Sequence, residues 1–189
     1  AMVSKWSNMG FEIERINQVT HDYIEKNHVS LKQLDHSSKD SQKLLKEISS
    51  ELITLLRNRG TTGVYLMLSQ GDFSGNKTHY YPGIYIVDND PESKYESSNS
   101  DLLLTRCPVE LVDDLDISMD SNWQPSFEFE KDDLEFYDDI FKNFDLSAKD
   151  DDIAISDVGR WIPPYQRYGS DTYSISYILP LIYNKHVYG

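Results

Sequence analysis

The sequence is short of cysteine and of long apolar runs. Cys107 is the only cysteine among 189 residues, which excludes a disulfide scaffold and a cysteine-rich zinc site. The expected role of Cys107 is that of a small buried hydrophobic residue rather than a reactive thiol. No apolar stretch approaches the roughly 20 residues that span a bilayer, and the first residues lack the apolar core of a signal peptide.

Positive charge is also scarce. Lysine and arginine number 18 against 32 aspartates and glutamates, which gives a formal net charge of −14 at pH 7. No basic cluster interrupts this acidity, so nucleic acids and anionic lipid surfaces are excluded as partners. The acidity does not identify a binding partner, because an acidic surface commonly serves only to keep a protein soluble.

Catalytic and metal-binding motifs are missing as well. The five histidines form no HxxxH or HExxH pair, and there is no GxSxG elbow, P-loop or GxGxxG motif. Three acidic runs lack the ligand spacing of a calcium loop: Asp113–Asp116, Asp132–Asp133 and Asp150–Asp152. We therefore expect no catalytic residues, no metal site, no cofactor and no enzymatic activity. A hydrolase using an unrecognised carboxylate pair stays open as a distant alternative.

The first third of the chain has the pattern of a long helix. Apolar residues recur at spacings of three and four from residue 4 to about residue 58, which places them on one helix face. Asp35–Ser41 is polar throughout and is either an exposed helical stretch or a break between two helices. Arg57–Gly60 places cations in the last turn and a glycine after it, as helix C-termini favour.

The rest of the chain alternates short strands with helices, which predicts an α+β fold. Its expected strands are Gly63–Ser69 and Gly83–Val87 as an antiparallel hairpin, Leu102–Thr105, Ile153–Val158, and Tyr173–Tyr183 with a break near Pro180, followed by a tight turn into a last strand. Its expected helices are Val109–Leu115 and Leu134–Asp145, and its expected loops include Gly71–Lys77, Glu92–Ser100 and Trp161–Asp171.

One segment, Asp157–Tyr168, has the composition of a ligand-binding loop. It combines two arginines, a tryptophan and two tyrosines beside the long strand. Arginine can pair with a carboxylate, and the aromatic rings offer large rigid walls with a polar handle. Such groups suit a small polar ligand, although a loop folded over the sheet with Trp161 plugging the core fits the same residues. Trp123 is similar, with packing as its favoured role.

Several segments together resemble the extracellular Cache sensor domains of bacterial diguanylate cyclases and histidine kinases. The resemblance covers about residues 45–189, and no single motif carries it. Its opening strands are matched by Thr61–Leu68, Gly83–Pro91 and Asp101–Arg106, and its later strands by Gly159–Pro164, Tyr173–Tyr183 and Val187–Gly189.

The resemblance implies a helical stalk at residues 1–58 and a PAS-like antiparallel sheet at residues 59–189. In that family a strand ending in PLIY turns through a short hairpin into another strand. The resemblance therefore implies that the module is cut at its C-terminal end, near Gly189.

The function implied by the resemblance is that of an extracytoplasmic sensor in a membrane-anchored receptor. A small molecule would bind in the PAS-like module and shift helices that lead to a cytoplasmic cyclase or kinase output. The N-terminal helix could also pack on a second protomer, giving a homodimer. The alternative is a structural or protein-interaction ectodomain of the same fold that binds no small molecule.

The resemblance also implies binding residues. Trp161, Tyr165 and Tyr173 match aromatic positions of the ligand site, and Arg160 matches its arginine. Asp157 and Asp171 are included as polar contacts because they lie nearby, and Trp123 as a further aromatic. The sequence departs from the amino-acid-binding pattern, since Trp161 follows Arg160 directly and Ile175 stands where an aspartate would hold an amine.

Overall fold

The computed structural model describes residues 9–72, 77–91, 98–166 and 171–189. Its described part confirms the α+β class, with four α-helices and mostly antiparallel strand pairs. The helices are α1 (Met9–Asn27), α2 (Lys39–Arg59), α3 (Val109–Leu115) and α4 (Lys131–Ala148). None of the described helices is long and apolar enough to cross a membrane. Residues 1–8, which include the start of the predicted stalk, lie outside the described residues.

The N-terminal region is helical as expected, but the long helix is interrupted, because the chain breaks between α1 and α2. His28 takes a left-handed φ of 52°, and Leu31–Gln33 forms one short 3₁₀ turn. Helix α2 then begins after Ser38, whose hydroxyl accepts a hydrogen bond from the Ser41 amide at 3.1 Å while the Ser41 hydroxyl accepts one from the Ser38 amide at 2.9 Å. The break was the second alternative for the polar stretch Asp35–Ser41. It lets α2 turn back and pack against α1.

Helix α2 ends as the sequence predicts. Gly60 follows its last residue with a φ of 57°, a left-handed conformation that costs glycine little. Strand β1 begins three residues later, so this cap sets the direction in which the chain enters the sheet.

The described strands form one four-stranded sheet and three two-stranded pairs. The sheet has the order β1 (Gly63–Met67), β3 (Gly83–Asp88), β4 (Leu102–Arg106) and β5 (Ser118–Gln124). The pairs are β2 (His79–Tyr81) with β6 (Phe127–Phe129), β7 (Arg160–Gln166) with β8 (Tyr173–Ile178), and β9 (Ile182–Tyr183) with β10 (His186–Val187).

The predicted hairpin of β1 and β3 is confirmed, with Tyr65 opposite Tyr85 in antiparallel register. Strand β4 is confirmed as well, and it pairs antiparallel with β3. Strand β5 runs parallel to β4, which requires a crossover, and α3 supplies it. The break in the last long strand falls at Pro180, between β8 and β9, as expected.

Two elements near the C-terminal end differ from the prediction. The expected strand Ile153–Val158 is a 3₁₀ turn at Ile155–Val158. The expected loop at Trp161–Asp171 is strand β7 as far as Gln166, and residues 167–170 lie outside the described residues. Pro163 and Pro164, which suggested a loop, occupy the bulge where the register with β8 shifts. Proline is tolerated there because no ladder hydrogen bond is required of it.

The two faces of the sheet carry two apolar clusters. On one face the even-numbered residues of β1, Val64 and Leu66, are buried with residues of α1, α2 and α3 in the main core. On the other face Met67 packs toward a second cluster built from α4, β2, β6 and β10. The N-terminal helices and the sheet therefore share one core. Cys107 is fully buried, as predicted, and burial raises the pKa of its thiol to about 12.

A buried ion cluster joins the last turns of α2 to the end of β3 and the start of β4. The Arg57 guanidinium donates two hydrogen bonds to the Asp101 carboxylate, one of them 2.6 Å long. A second carboxylate, that of Asp88, lies 3.7 Å from Arg57. Hydrogen bonding to Arg57 lowers the pKa of Asp101, whereas desolvation raises the pKa of Asp88. One cation therefore compensates two carboxylates whose side chains are only 6% and 2% exposed.

Replacing Arg57 by methionine should destabilise the fold by about 3–5 kcal/mol, because it leaves buried carboxylates without their cation. Without Arg57, both carboxyl groups would have higher pKa values in the folded protein than in the unfolded chain. The loss in the free energy of unfolding should therefore become smaller as the pH falls from 7 toward 5. Urea unfolding at several pH values measures both effects.

Arg15→Met is the matched control. Arg15 pairs with Glu51 at 3.0 Å, but its side chain is 68% exposed, so this change should cost under about 1 kcal/mol at every pH. If both variants lost a similar free energy of unfolding, the buried cluster would not stabilise the fold more than an exposed ion pair does.

Candidate functional site: an uncharged cleft beside β1

A cleft of about 510 Å³ lies between strand β1 and the β7–β8 pair. Helices α1 and α2 contribute Ile13, Leu52 and Leu55 to its lining, and α4 contributes Tyr137 and Phe141. The lining residues in the described part of the chain include no charged side chain, although charged residues make up 26% of the sequence. A fully charged ligand group placed inside would therefore lose its hydration without gaining an ionic partner.

Several aromatic side chains line the cleft. Trp161 from β7 packs on Tyr177 from β8, with ring centroids 5.2 Å apart. On the opposite wall Tyr65 from β1 packs against Tyr85 at 5.8 Å, in an edge-to-face arrangement. Trp161 keeps 46% of its surface exposed at the cleft, so its ring does not plug the core. Planar rings on both walls suit an apolar or aromatic group between them.

A small hydroxyl network supplies the polar contacts of the cleft. The Tyr165 and Ser176 hydroxyls lie 2.8 Å apart across the β7–β8 pair. Tyr65 from β1 also lies close to Ser176, so this serine is near tyrosine side chains from both walls. Desolvation, reinforced by the neighbouring Tyr137 and Tyr165, raises the pKa of Tyr65 well above its ordinary value of 10. The Tyr65 hydroxyl is therefore a neutral donor and acceptor throughout the physiological pH range.

Three of the seven predicted binding residues line this cleft: Trp161, Tyr165 and Tyr173. Tyr173 is 72% exposed and lies at its mouth. The structure does not bring the other four to the cleft. The Arg160 guanidinium lies 5.8 Å from the centroid of Phe144, one of the lining residues, and Arg160 is itself exposed.

The remaining three predicted residues have other surroundings. Asp157 lies in the 3₁₀ turn before β7 and is exposed, as is Asp171 before β8. Trp123 lies in β5 and packs against the main core, the role the sequence favoured, and its buried Nε1 has no hydrogen-bond partner among the described residues. The described residues contain no group of three or more histidine, cysteine or acidic side chains that could hold a metal.

Sequence reasoning missed several residues of the cleft. Tyr65, Tyr137 and Ser176 were treated only as parts of a strand or helix. A signal existed for Tyr65: in a strand with apolar Val64 and Leu66, the alternating residues must face the opposite side of the sheet. No local signal marks Ser176, because its neighbours on β1 are distant in sequence.

Comparisons with protein-family models, with curated proteins and with solved structures find no match to this chain.

We expect the raised pKa of Tyr65 to appear as alkaline instability. Above about pH 10 the unfolded chain ionises this phenol while the folded chain does not. The stability that depends on a neutral Tyr65 is present below that pH and is lost as the pH rises toward the higher folded pKa. Tyr65→Phe should therefore reduce the fall in melting temperature between about pH 8 and pH 11.

Tyr80→Phe is the control for this titration, because Tyr80 is 60% exposed and lies outside the cleft. Burial also raises the pKa values of Tyr81 and Tyr188. Both residues remain in the two variants, so they contribute equally to the alkaline fall in melting temperature. Equal slopes for Tyr65→Phe and the unmodified protein would contradict the assignment of a buried, neutral hydroxyl.

Proposed function

We propose that this chain is the ligand-binding part of a sensor, in which occupation of the cleft changes the position of helix α1. The observation that carries the proposal is the cleft itself, with aromatic rings on both walls and no charged side chain in its described lining. Preformed, largely apolar cavities with a few convergent polar groups are the usual form of small-molecule sites. The hydroxyls of Tyr65, Tyr165 and Ser176 are those polar groups here.

The position of α1 supports a signalling role. Near its start, Gly10 approaches the β7–β8 side so closely that a β-carbon there would lie 3.4 Å from the Tyr177 hydroxyl and 3.2 Å from the Ser156 carbonyl oxygen. Farther along, the Asn17 side chain donates to the Pro180 carbonyl at 3.2 Å and accepts from the Ile182 amide at 3.3 Å. A change in the spacing of the cleft walls would therefore act on α1 at two places, Gly10 and Asn17.

The resemblance to Cache sensors gives this proposal its cellular setting. We propose an extracytoplasmic domain of a membrane-anchored receptor that passes ligand binding to a cytoplasmic output domain. The Cache-like character of the fold is part of the same proposal. The ligand is expected to differ from that of amino-acid-binding members, since Arg160 lies outside the lining and Ile175 lines the cleft.

A thermal-shift screen tests the proposal. Uncharged compounds, such as nucleosides, sugars, neutral aromatic compounds and capped peptides, should include stabilising ligands, whereas free amino acids and organic acids should not stabilise. A ligand at 100 times its dissociation constant stabilises by about 2.7 kcal/mol. Trp161→Ala should abolish the shift while the domain stays folded, because Trp161 is a half-exposed cleft residue.

Tyr80→Ala, which changes an aromatic residue outside the cleft, should leave the shift intact. If no uncharged compound raises the melting temperature, or if Trp161→Ala binds unchanged, the cleft is not the proposed ligand site.

A further inference from the structure

The β7–β8 pair brings a tryptophan and a tyrosine together on one wall of the cleft. Trp161 lies directly opposite Tyr177 in the antiparallel register, so their side chains project from the same face of the pair. The two rings pack at a centroid distance of 5.2 Å and an interplanar angle of 60°. Both residues line the cleft, and Trp161 is half-exposed. A ligand that displaces the Trp161 ring would therefore act on the Tyr177 ring as well.

The hydroxyl end of the Tyr177 ring lies over a glycine. A β-carbon added to Gly159 would lie 2.0 Å from the Tyr177 hydroxyl oxygen, 2.4 Å from Cζ and 2.9 Å from Cε1, so no side chain fits there. The backbone angles of Gly159, φ −59° and ψ 144°, are open to any residue. The space taken by Tyr177, rather than backbone strain, therefore accounts for the glycine at this position.

The same hydroxyl reaches helix α1. An added β-carbon at Gly10 would lie 3.4 Å from the Tyr177 hydroxyl oxygen, and Gly10 is buried. Because Gly10 has no side chain, the hydroxyl approaches the backbone of α1 itself. Tyr177 thus extends from the Trp161 ring in the cleft to the start of α1, with one glycine on each side of its hydroxyl.

The middle of α1 is held in a different way. The buried Asn17 side chain hydrogen-bonds with the backbone at the start of β9 in both directions, at 3.2 and 3.3 Å. The Thr20 hydroxyl accepts a hydrogen bond from Tyr188 at 2.7 Å. These contacts are directional, whereas the contact of Gly10 with Tyr177 depends on shape alone. A push at Gly10 would therefore tilt the start of α1 about a point near Asn17, roughly 10 Å away along the helix.

We infer that Tyr177 is the positioning residue that couples the cleft to helix α1, through its contacts with Trp161 and Gly10. The inference rests on the proposed function and names the route by which occupation of the cleft reaches the helix. A shift of the Trp161 ring changes how closely the Tyr177 hydroxyl packs on the start of α1. The helix responds at Gly10, while its hydrogen bonds at Asn17 stay in place.

Gly159→Ala tests the contact geometry. The added methyl group should force Tyr177 to move by about 1 Å or more, because nonbonded carbon atoms prefer separations of about 3.5–4.0 Å. The variant should therefore have a lower melting temperature. In a Tyr177→Leu background the same change should not lower it, since leucine lacks the three atoms nearest to the added carbon. Equal losses in both backgrounds would overturn the placement of Tyr177 and the inference with it.

Amide hydrogen exchange in the full chain tests the coupling without any ligand. Trp161→Ala removes the ring that packs on Tyr177, and it should speed exchange about tenfold at the amides of residues 13–15 in the first turns of α1. The Ile24 amide, beyond the Asn17 contact, should not change. In the Tyr177→Leu background, Trp161→Ala should have no further effect on residues 13–15, because the route is already broken. Trp161→Phe keeps a ring against Tyr177 and should preserve slow exchange.

Tyr173→Ala is the matched control, because Tyr173 is an aromatic residue that lines the cleft but is 72% exposed at its mouth. It should leave exchange in α1 unchanged. Equal acceleration by Tyr173→Ala and Trp161→Ala would overturn the inference, and so would a full effect of Trp161→Ala in the Tyr177→Leu background. Either result would leave the proposed ligand site standing. If the coupling is found but no compound stabilises the chain in the thermal-shift screen, the proposed function fails and the role of Tyr177 in positioning α1 stands.

Discussion

A backbone amide or carbonyl removed from water needs a hydrogen-bond partner. In this fold the constraint is strongest at strand β1. Its inner edge is paired with β3, and its even-numbered side chains are buried in the main core. Its outer edge lies beside the aromatic cleft. Helices α1 and α4 and the β7–β8 pair all contribute to the lining of this cleft.

The C-terminal hairpin connects this edge to helix α1. Asn184 and Lys185 take left-handed φ values of 47° and 64°, which give the tight turn between β9 and β10. The turn returns the chain so that the fully buried Tyr188 donates to the Thr20 hydroxyl of α1 at 2.7 Å, while its carbonyl accepts from the Ser69 amide two residues after β1. One residue thus contacts both the helix and the sheet edge. Displacement of this segment by an occupant of the cleft would be transmitted to α1 through buried hydrogen bonds rather than through exposed ones.

The sequence predicted those elements whose apolar pattern is set by one buried face. Helix α4 and strands β1, β3 and β4 are of this kind, and their positions agree with the structure. Strand β5 was missed because Ser118–Gln124 is a polar edge strand with little burial to impose alternation. Strand β7 was missed because Pro163 and Pro164 indicate a loop unless a bulge accommodates them. For the site, local composition identified Trp161 and Tyr165, but the meeting of Tyr65 with Ser176 depends on tertiary structure.

The distribution of charge narrows what the cleft can bind. The chain carries a net charge of −14, yet none of the described residues that line the cleft is charged, and Arg57 is paired with Asp101 in a separate cluster. Arg160, the nearest predicted anion partner, lies over the ring of Phe144 instead of entering the cleft. A carboxylate entering the cleft would lose hydration, would gain only hydroxyl donors, and would approach through an acidic surface. An uncharged ligand of the kind proposed would avoid both costs.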